Sequence, residues 1–247
     1  MNKNKNVYIL GILRGHNSGA CILKDGEIIA LAREERFNRI KNTNAFPLNA
    51  INYCIEEANI KMEDLDYVVN SSKYMSKIDT KDTKHNDNYI QNITTKKNKI
   101  VTKLIKRYPS LYPLFIGVYK KFSNVNEKKI KGYISTNLKI DESKILVNEH
   151  HINHAYAAFY GFYDKSSPAL VLTLDAEGDY ICSSVSIYKD NSIKTIKKTK
   201  YSQSPATFYG IITMILGMKM NEHEYKLMGM AQYVSIYETQ KILPLFS

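Results

Sequence analysis

Three cysteines in 247 residues are too few and too scattered to organise this chain. Cys21, Cys54 and Cys182 form no Cys-x-x-Cys pair, and an odd count leaves no even disulfide framework. Each sits among apolar neighbours, as a small core residue does in a reducing cytosol, so a cytoplasmic protein is expected. Long hydrophobic runs are missing too. The N-terminal apolar stretch from Val7 ends at Leu13, before Arg14. That is too short for a membrane span, and no small-residue cleavage site follows. A membrane is therefore not expected as a partner. Arginine is nearly absent where positive charge is densest. Residues 71–145 hold 17 Lys and Arg against 6 Asp and Glu, a surplus equal to the whole chain's +11. The stretch is rich in Lys and Asn, carries the single arginine Arg107, and shows no RNA-binding signature. It reads as a solvated insertion, and nucleic acid is not expected to bind it.

What is present is a chain 44% hydrophobic, enough for one large domain or two small ones. Val7–Leu13 reads as a buried strand. Gly15–Gly19 is a turn whose glycines and Asn17 permit backbone angles that most residues avoid. Ala20–Leu23 is a second strand, and Lys24-Asp25-Gly26 is a hairpin signal into a third, Glu27–Ala32. A polar block from Arg33 to Lys41 follows. Phe46-Pro47 starts a helix through Asn59, with Ile51, Cys54, Ile55 and Ala58 at helical spacing. Asp66–Val69 is a fourth strand. The pattern weakens from Ser71 to Ser143: Ile100–Lys106 and Leu111–Lys121 read as helices, and Lys73–Lys99 is too polar to build a core.

The opening pattern then returns. Ala169–Leu174 is a strand, Asp175–Asp179 a turn and Ile181–Tyr188 a strand. Lys189-Asp190-Asn191 is a hairpin signal and Ser192–Lys200 another strand. Ser204 caps, and Pro205 opens, a helix through Leu216. Strand, turn, strand, hairpin, strand and helix thus occur twice, and repeats mark architecture. Two such units are the plan of the α/β actin-like ATPase (ribonuclease H-like) fold, whose two turns grip a nucleotide's phosphates through backbone N–H groups. Two unrelated β-meanders would give the same pattern. The expected division of a single domain, 1–247, is a first unit at 7–70, the insertion at 71–145 and a second unit at 146–247, with the second lobe incomplete.

Chemistry concentrates in Asn148-Glu149-His150-His151-Ile152-Asn153-His154-Ala155. Three of the chain's six His fall here. The block opens an Ala-rich run of strong helix formers, so a helix is predicted. Residues four apart share a helix face, so His150 and His154 aim at one point while His151 points about 100° away. Ala155, Ala158 and Phe159 are then expected to pack inward. Two imidazoles at this spacing make half of a site for zinc or iron. A His-rich, partly exposed helix start is the alternative. The zincin motif is excluded, because His151 stands where its Glu would follow the first His.

Block by block, the chain resembles the N-terminal region of the O-carbamoyltransferase family of nodulation-factor and antibiotic biosynthesis. Gly15-His16-Asn17-Ser18-Gly19-Ala20 is similar to the family's Gly-His-Asp-Ala-Ser-Ala turn, and Glu34-Glu35-Arg36-Phe37-Asn38-Arg39-Ile40-Lys41 to its Glu-Glu-Arg block. Phe46-Pro47 with Ala50-Ile51, His150-His151 with His154-Ala155, Leu174-Asp175 with Gly178-Asp179, and Glu224–Ala231 follow in order. The order and spacing of these blocks carry the resemblance, to which residues 71–145 add little.

The resemblance implies that a carbamoyl-adenylate, made from carbamoyl phosphate and ATP, gives its carbamoyl group to a hydroxyl of a small-molecule acceptor. It implies a divalent metal, iron by expectation, on His150, His154 and Asp175. Gly15, Gly19, Gly178 and Asp179 would meet the nucleotide. Arg36 and Arg39 would contact substrate or phosphate, or else join Glu34 and Glu35 in a surface ion-pair network. Lys226 would contact an anion or stand in solvent. His16 is the candidate general base, or else makes a structural hydrogen bond within its turn.

Departures bear on this. Asn17 stands where Asp is usual, Ser204–Phe208 follows its block only loosely, and Gln232 and Val234 replace an expected Pro and Gly. Family members continue well beyond the matching blocks with the rest of the actin-like domain and a carbamoyl-adenylate-forming domain. A second chain supplying that part is a partner to look for. Threonylcarbamoyl transfer to tRNA, or a non-catalytic module that binds a polyanion, are the alternative functions.

Overall fold

The computed structural model describes residues 6–73, 75–76, 108, 124–125, 127–162 and 167–242. The helices read at Ile100–Lys106 and Leu111–Lys121, and nearly all of Lys73–Lys99, lie outside these. Strands β1 (Tyr8–Leu13), β2 (Gly19–Lys24) and β3 (Glu27–Arg33) form an antiparallel meander. Asp25 and Gly26 close its hairpin with positive φ of 50° and 90°, the turn whose twist matches the flanking strands. β4 (Tyr67–Asn70) then pairs with β1 in parallel.

Among the described residues the first sheet has five strands. After a two-stranded ribbon of β5 (Met75–Ser76) and β6 (Asn124–Val125), β7 (Ile145–Val147) adds to β4 in parallel, giving the order β3-β2-β1-β4-β7. Only β2 runs against the others, which is the strand plan of one actin-like unit. Leu10 pairs with Ile22 and Val68, and Val68 with Ile145, so buried side chains line one face. Following the single-turn helix α1 (Glu35–Asn38), α2 (Leu48–Glu57) covers that face with Ala50, Ile51, Cys54 and Ile55. Helix α3 (Glu127–Leu138) covers it with Ile130, Ile134 and Leu138.

The first unit therefore reaches beyond 7–70. Helix α3 lies wholly within the stretch read as an insertion, 71–145, and β7 straddles the start of the unit placed at 146–247. The apolar residues of α3 recur every four positions, but Lys128, Lys129 and Lys131 around the first of them dilute the signal. Lys128 and Lys129 are exposed on the outward face of this core helix.

The second sheet repeats the meander. β8 (Ala169–Gly178), β9 (Ile181–Lys189) and β10 (Ser192–Lys200) pair antiparallel in the order β10-β9-β8. The hairpin read at Lys189-Asp190-Asn191 is present, with Asp190 and Asn191 at φ of 51° and 56°. Strand β8 runs on through Asp175, and the turn falls at Asp179 and Tyr180, at φ of 52° and 67°. A register shift between Leu174 and Gly178 is what carries the strand through the polar residues.

Helix α4 (His150–Phe162) lies on one face of this sheet, where Ala155 and Phe159 meet Val171 and Tyr188. Ala158, expected to face inward, is exposed: it lies about 60° from Ala155 on the helix, past the rim of the buried stripe. Helix α5 (Pro205–Ile215) opens as expected, Ser204 Oγ accepting from Thr207 N–H. Two short helices follow, α6 (Glu224–Met230) and α7 (Ile236–Ile242). Among the described residues no helix is long and apolar enough to cross a membrane.

Candidate functional site

Buried His151 fixes the rotation of α4. Its Nε2 lies 3.0 Å from the Ile181 carbonyl and its Nδ1 2.7 Å from Thr173 Oγ1. Thr173 Oγ1 in turn accepts from Ser184 N–H at 3.1 Å. Burial pushes the imidazole below its ordinary pKa, so it stays neutral in this network. With His151 against the sheet, His150 and His154 turn to the rim of the helix, one turn apart, with ring centroids 4.5 Å from each other.

Asp175 of β8 meets them there. His150 Nε2 lies 3.0 Å and His154 Nε2 3.5 Å from Asp175 Oδ2, and the two Nε2 atoms are 2.9 Å apart. Asp175 Oδ1 accepts from Ala176 N–H, which leaves Oδ2 for the two rings. Hydrogen bonding to His150, then to His154, holds this carboxyl well below the usual carboxylate range. Two imidazoles and a carboxylate on one face suit a divalent cation such as iron(II). With bonds of about 2.0–2.1 Å, ligand atoms at right angles lie about 3 Å apart. The observed separations match that spacing. The His154 side chain is 51% exposed, so the cluster opens toward solvent on that side.

Gly178 and Asp179 serve the same histidine. A Cβ on Gly178 would fall 1.9 Å from His150 Cδ2, so the glycine gives room to the ring. Asp179 accepts His150 N–H at 2.7 Å and also binds Ser72 and Lys73 N–H, just beyond β4. That contact brings the β8–β9 turn against the C-terminal end of the first sheet. Parallel strand ends of this kind are where open α/β sheets hold ligands.

The first turn lies at the same end of the sheet. Gly15 and Asn17 have φ of 124° and 64°. Gly19 is needed for packing, because its Cβ would sit 2.6 Å from the Ala32 carbonyl oxygen. Asn17 Oδ1, Ser18 Oγ and Ser71 Oγ are buried without a hydrogen-bond partner among the described residues. Buried polar atoms of this kind call for a ligand or ordered water. Sequence reading passed over Ser71-Ser72-Lys73, although a polar triplet straight after an apolar strand was its signal. His16 is exposed, and Asn17 Nδ2 donates to its Nδ1 at 2.8 Å, the turn hydrogen bond given as its alternative role.

The remaining candidates lie elsewhere. Glu34 is not part of a surface ion-pair network. It is 2% exposed and accepts from Asn49 Nδ2 and from Ala50 N–H, capping α2. Glu35 accepts from Asn42 N–H. Arg36 lines an open groove of about 380 Å³ with Leu31, Arg33, Phe37 and Tyr53. Arg39 is exposed and ends α1 in the left-handed conformation. Among the described residues neither arginine forms an ion pair. Lys226 is exposed, its Nζ 5.8 Å from the centre of the Tyr225 ring.

The model of the family described as "Carbamoyltransferase N-terminus" matches residues 8–245. An uncharacterized Synechocystis protein, sll1178, is 30% identical over 227 residues, covering 92% of this chain and 34% of its own length. Nodulation protein NolNO of Sinorhizobium fredii is 26% identical over 222 residues, covering 88% of this chain and 28% of its own length. The chain thus spans about a third of the curated relatives it matches. Among solved structures, YeaZ from Pseudomonas aeruginosa is similar over 78% of this chain and 67% of its own, with a TM-score of 0.36 and 10% identity.

Proposed function

Since the chain belongs to the carbamoyltransferase N-terminus family, we propose that it forms part of an enzyme that moves a carbamoyl group from a carbamoyl-adenylate to a hydroxyl of a small-molecule acceptor. Carbamoyl phosphate and ATP supply the donor. The acceptor oxygen bonds to the carbamoyl carbon, the carbon–oxygen bond to the adenylate breaks, and AMP leaves.

The observation that carries this reading is the convergence of His150, His154 and Asp175 within 4.8 Å. These residues would hold a divalent metal, iron by expectation, which when bound supplies Lewis-acid polarisation of the carbamoyl carbonyl. His150 and Asp175 present their atoms from a helix and a strand already locked by His151, so little reorganisation is needed on binding. The phosphoryl end of the donor is assigned to the Gly15–Gly19 turn, where the Ser18 and Ser71 hydroxyls can donate to it. The acceptor's proton passes to a base. For His16 to serve, its hydrogen bond to Asn17 must open. Arg36, Arg39 and Lys226 remain candidates for anion contact, because their charges are exposed. The part of the relatives beyond the matched third supplies the carbamoyl-adenylate, in the same chain or a second one.

The test is transfer of labelled carbamoyl groups from carbamoyl phosphate and ATP to simple hydroxyl acceptors. The chain would be mixed with a polypeptide that carries the part of a relative beyond the matched third. Transfer that needs both polypeptides and disappears in His154→Ala is the expected result. Equal transfer by His154→Ala would remove the metal centre from the mechanism, and no transfer by the mixture would overturn the reading.

A further inference from the structure

Asp179 is placed to act on the metal centre without entering it. Its carboxylate serves three donors of the protein itself. Oδ1 accepts from Ser72 Oγ at 2.5 Å, and Oδ2 accepts from Lys73 N–H at 3.0 Å and His150 N–H at 2.7 Å. The His150 N–H is one of the first-turn donors that a helix cannot satisfy internally. A carboxylate there is favoured by the helix dipole as well. Asp179 holds the left-handed conformation, φ 52°, which Asp and Asn tolerate better than other side chains. Its neighbour Gly178 leaves room for the His150 ring.

We infer that Asp179 is a positioning residue: it sets the His150 backbone, and through it the ring, while tying the β8–β9 turn of the second unit to the chain leaving β4 of the first. This rests on the reading of His150, His154 and Asp175 as metal ligands. It gives Asp179 a task other than nucleotide contact, and it makes the geometry of the metal centre depend on how the two units are joined.

The informative variant is Asp179→Asn. Asn suits the left-handed turn, so the hairpin survives, but its amide replaces one accepting oxygen and must face a donor. The probe is cobalt(II), whose visible spectrum reports ligand geometry, titrated into the wild-type chain, Asp179→Asn and His154→Ala. The expected result is an affinity about 10–100-fold weaker in Asp179→Asn, as for other residues that orient a ligand, with a changed spectrum and an unchanged melting temperature. Wild-type affinity and spectrum in Asp179→Asn, with binding lost in His154→Ala, would overturn the positioning role and leave the metal reading standing. If wild type and His154→Ala take up cobalt equally, the metal reading fails instead. The inference is then judged on the histidine ring resonances by NMR. A displaced His150 resonance beside an unmoved His151 supports it, and an unmoved His150 overturns it. Weaker binding with a matching fall in melting temperature and a moved His151 would reduce Asp179 to a merely structural residue, which also overturns it.

Discussion

The ring of His150 occupies the space that a side chain on Gly178 would need. A Cβ there would fall 1.9 Å from His150 Cδ2 and 2.2 Å from Cγ, far inside any contact distance. One residue's lack of a side chain therefore sets where a ligand of the other can sit. Gly178→Ala should push the ring off Asp175 and weaken binding of a divalent cation by about tenfold or more, measured by calorimetry, with far-ultraviolet circular dichroism unchanged. Full affinity in this variant would mean that the ring has another place from which to bind.

Helix α3 gives a second prediction. Ile134 is 2% exposed and lies in one cluster with Leu10, Ile51 and Val68. Ile134→Ala should lower the unfolding free energy by about 2–5 kcal/mol, as for other large-to-small changes in a core. Urea denaturation would read it. A solvated insertion would instead give a change within about 0.5 kcal/mol.

That contrast shows what the sequence could convey. The two meanders were legible because alternation, hairpin signals and the Ser204-Pro205 start are local. So was the pairing of His150 with His154, since helical spacing alone brings them together. Asp175 reached them only through the resemblance, because nothing local says which strand lies against a helix. Glu34 was misread for a related reason. Its partners, Asn49 and Ala50, lie fifteen residues and more away, and a charged block looks exposed until its cap is seen. Composition misled at α3, where three lysines outweighed three isoleucines and leucines spaced for a core. The role of Asp179 was hidden most deeply, since its donors come from residues 72, 73 and 150.

The cysteines make a third prediction. Burial raises the Cys54 thiol to about 11 from its ordinary value near 9, with the neighbouring Cys21 adding to the shift. Its Sγ donates to the Ala20 carbonyl at 3.5 Å. The unfolded chain therefore loses this proton at lower pH than the folded one. The associated stability is present below about pH 9 and is lost as pH rises through about 11. At pH 8 the native thiol should resist iodoacetamide, while the urea-unfolded chain is labelled at once. Mass spectrometry of peptide 48–57 distinguishes the two, and rapid native labelling would mean that α2 opens readily.

The last prediction comes from comparing the two sheets. In the first unit β4 lies alongside β1 in parallel. In the second, β8 holds the place of β1 and forms an edge of its sheet among the described residues. Its outward row, Leu170, Leu172 and Leu174, is 70%, 68% and 76% exposed. Long apolar edge strands of this kind pair with other chains unless they are covered. The purified chain should therefore associate as its concentration rises, and Leu172→Lys should hold it as a monomer, because a charge in the middle of the row must be desolvated for a second strand to dock. Sedimentation velocity over a range of concentrations would follow both proteins. Equal association of the two would move the contact away from β8, to surfaces such as Tyr233 and Ile236, which are 84% and 79% exposed. Loss of association in Leu172→Lys would place the contact on β8.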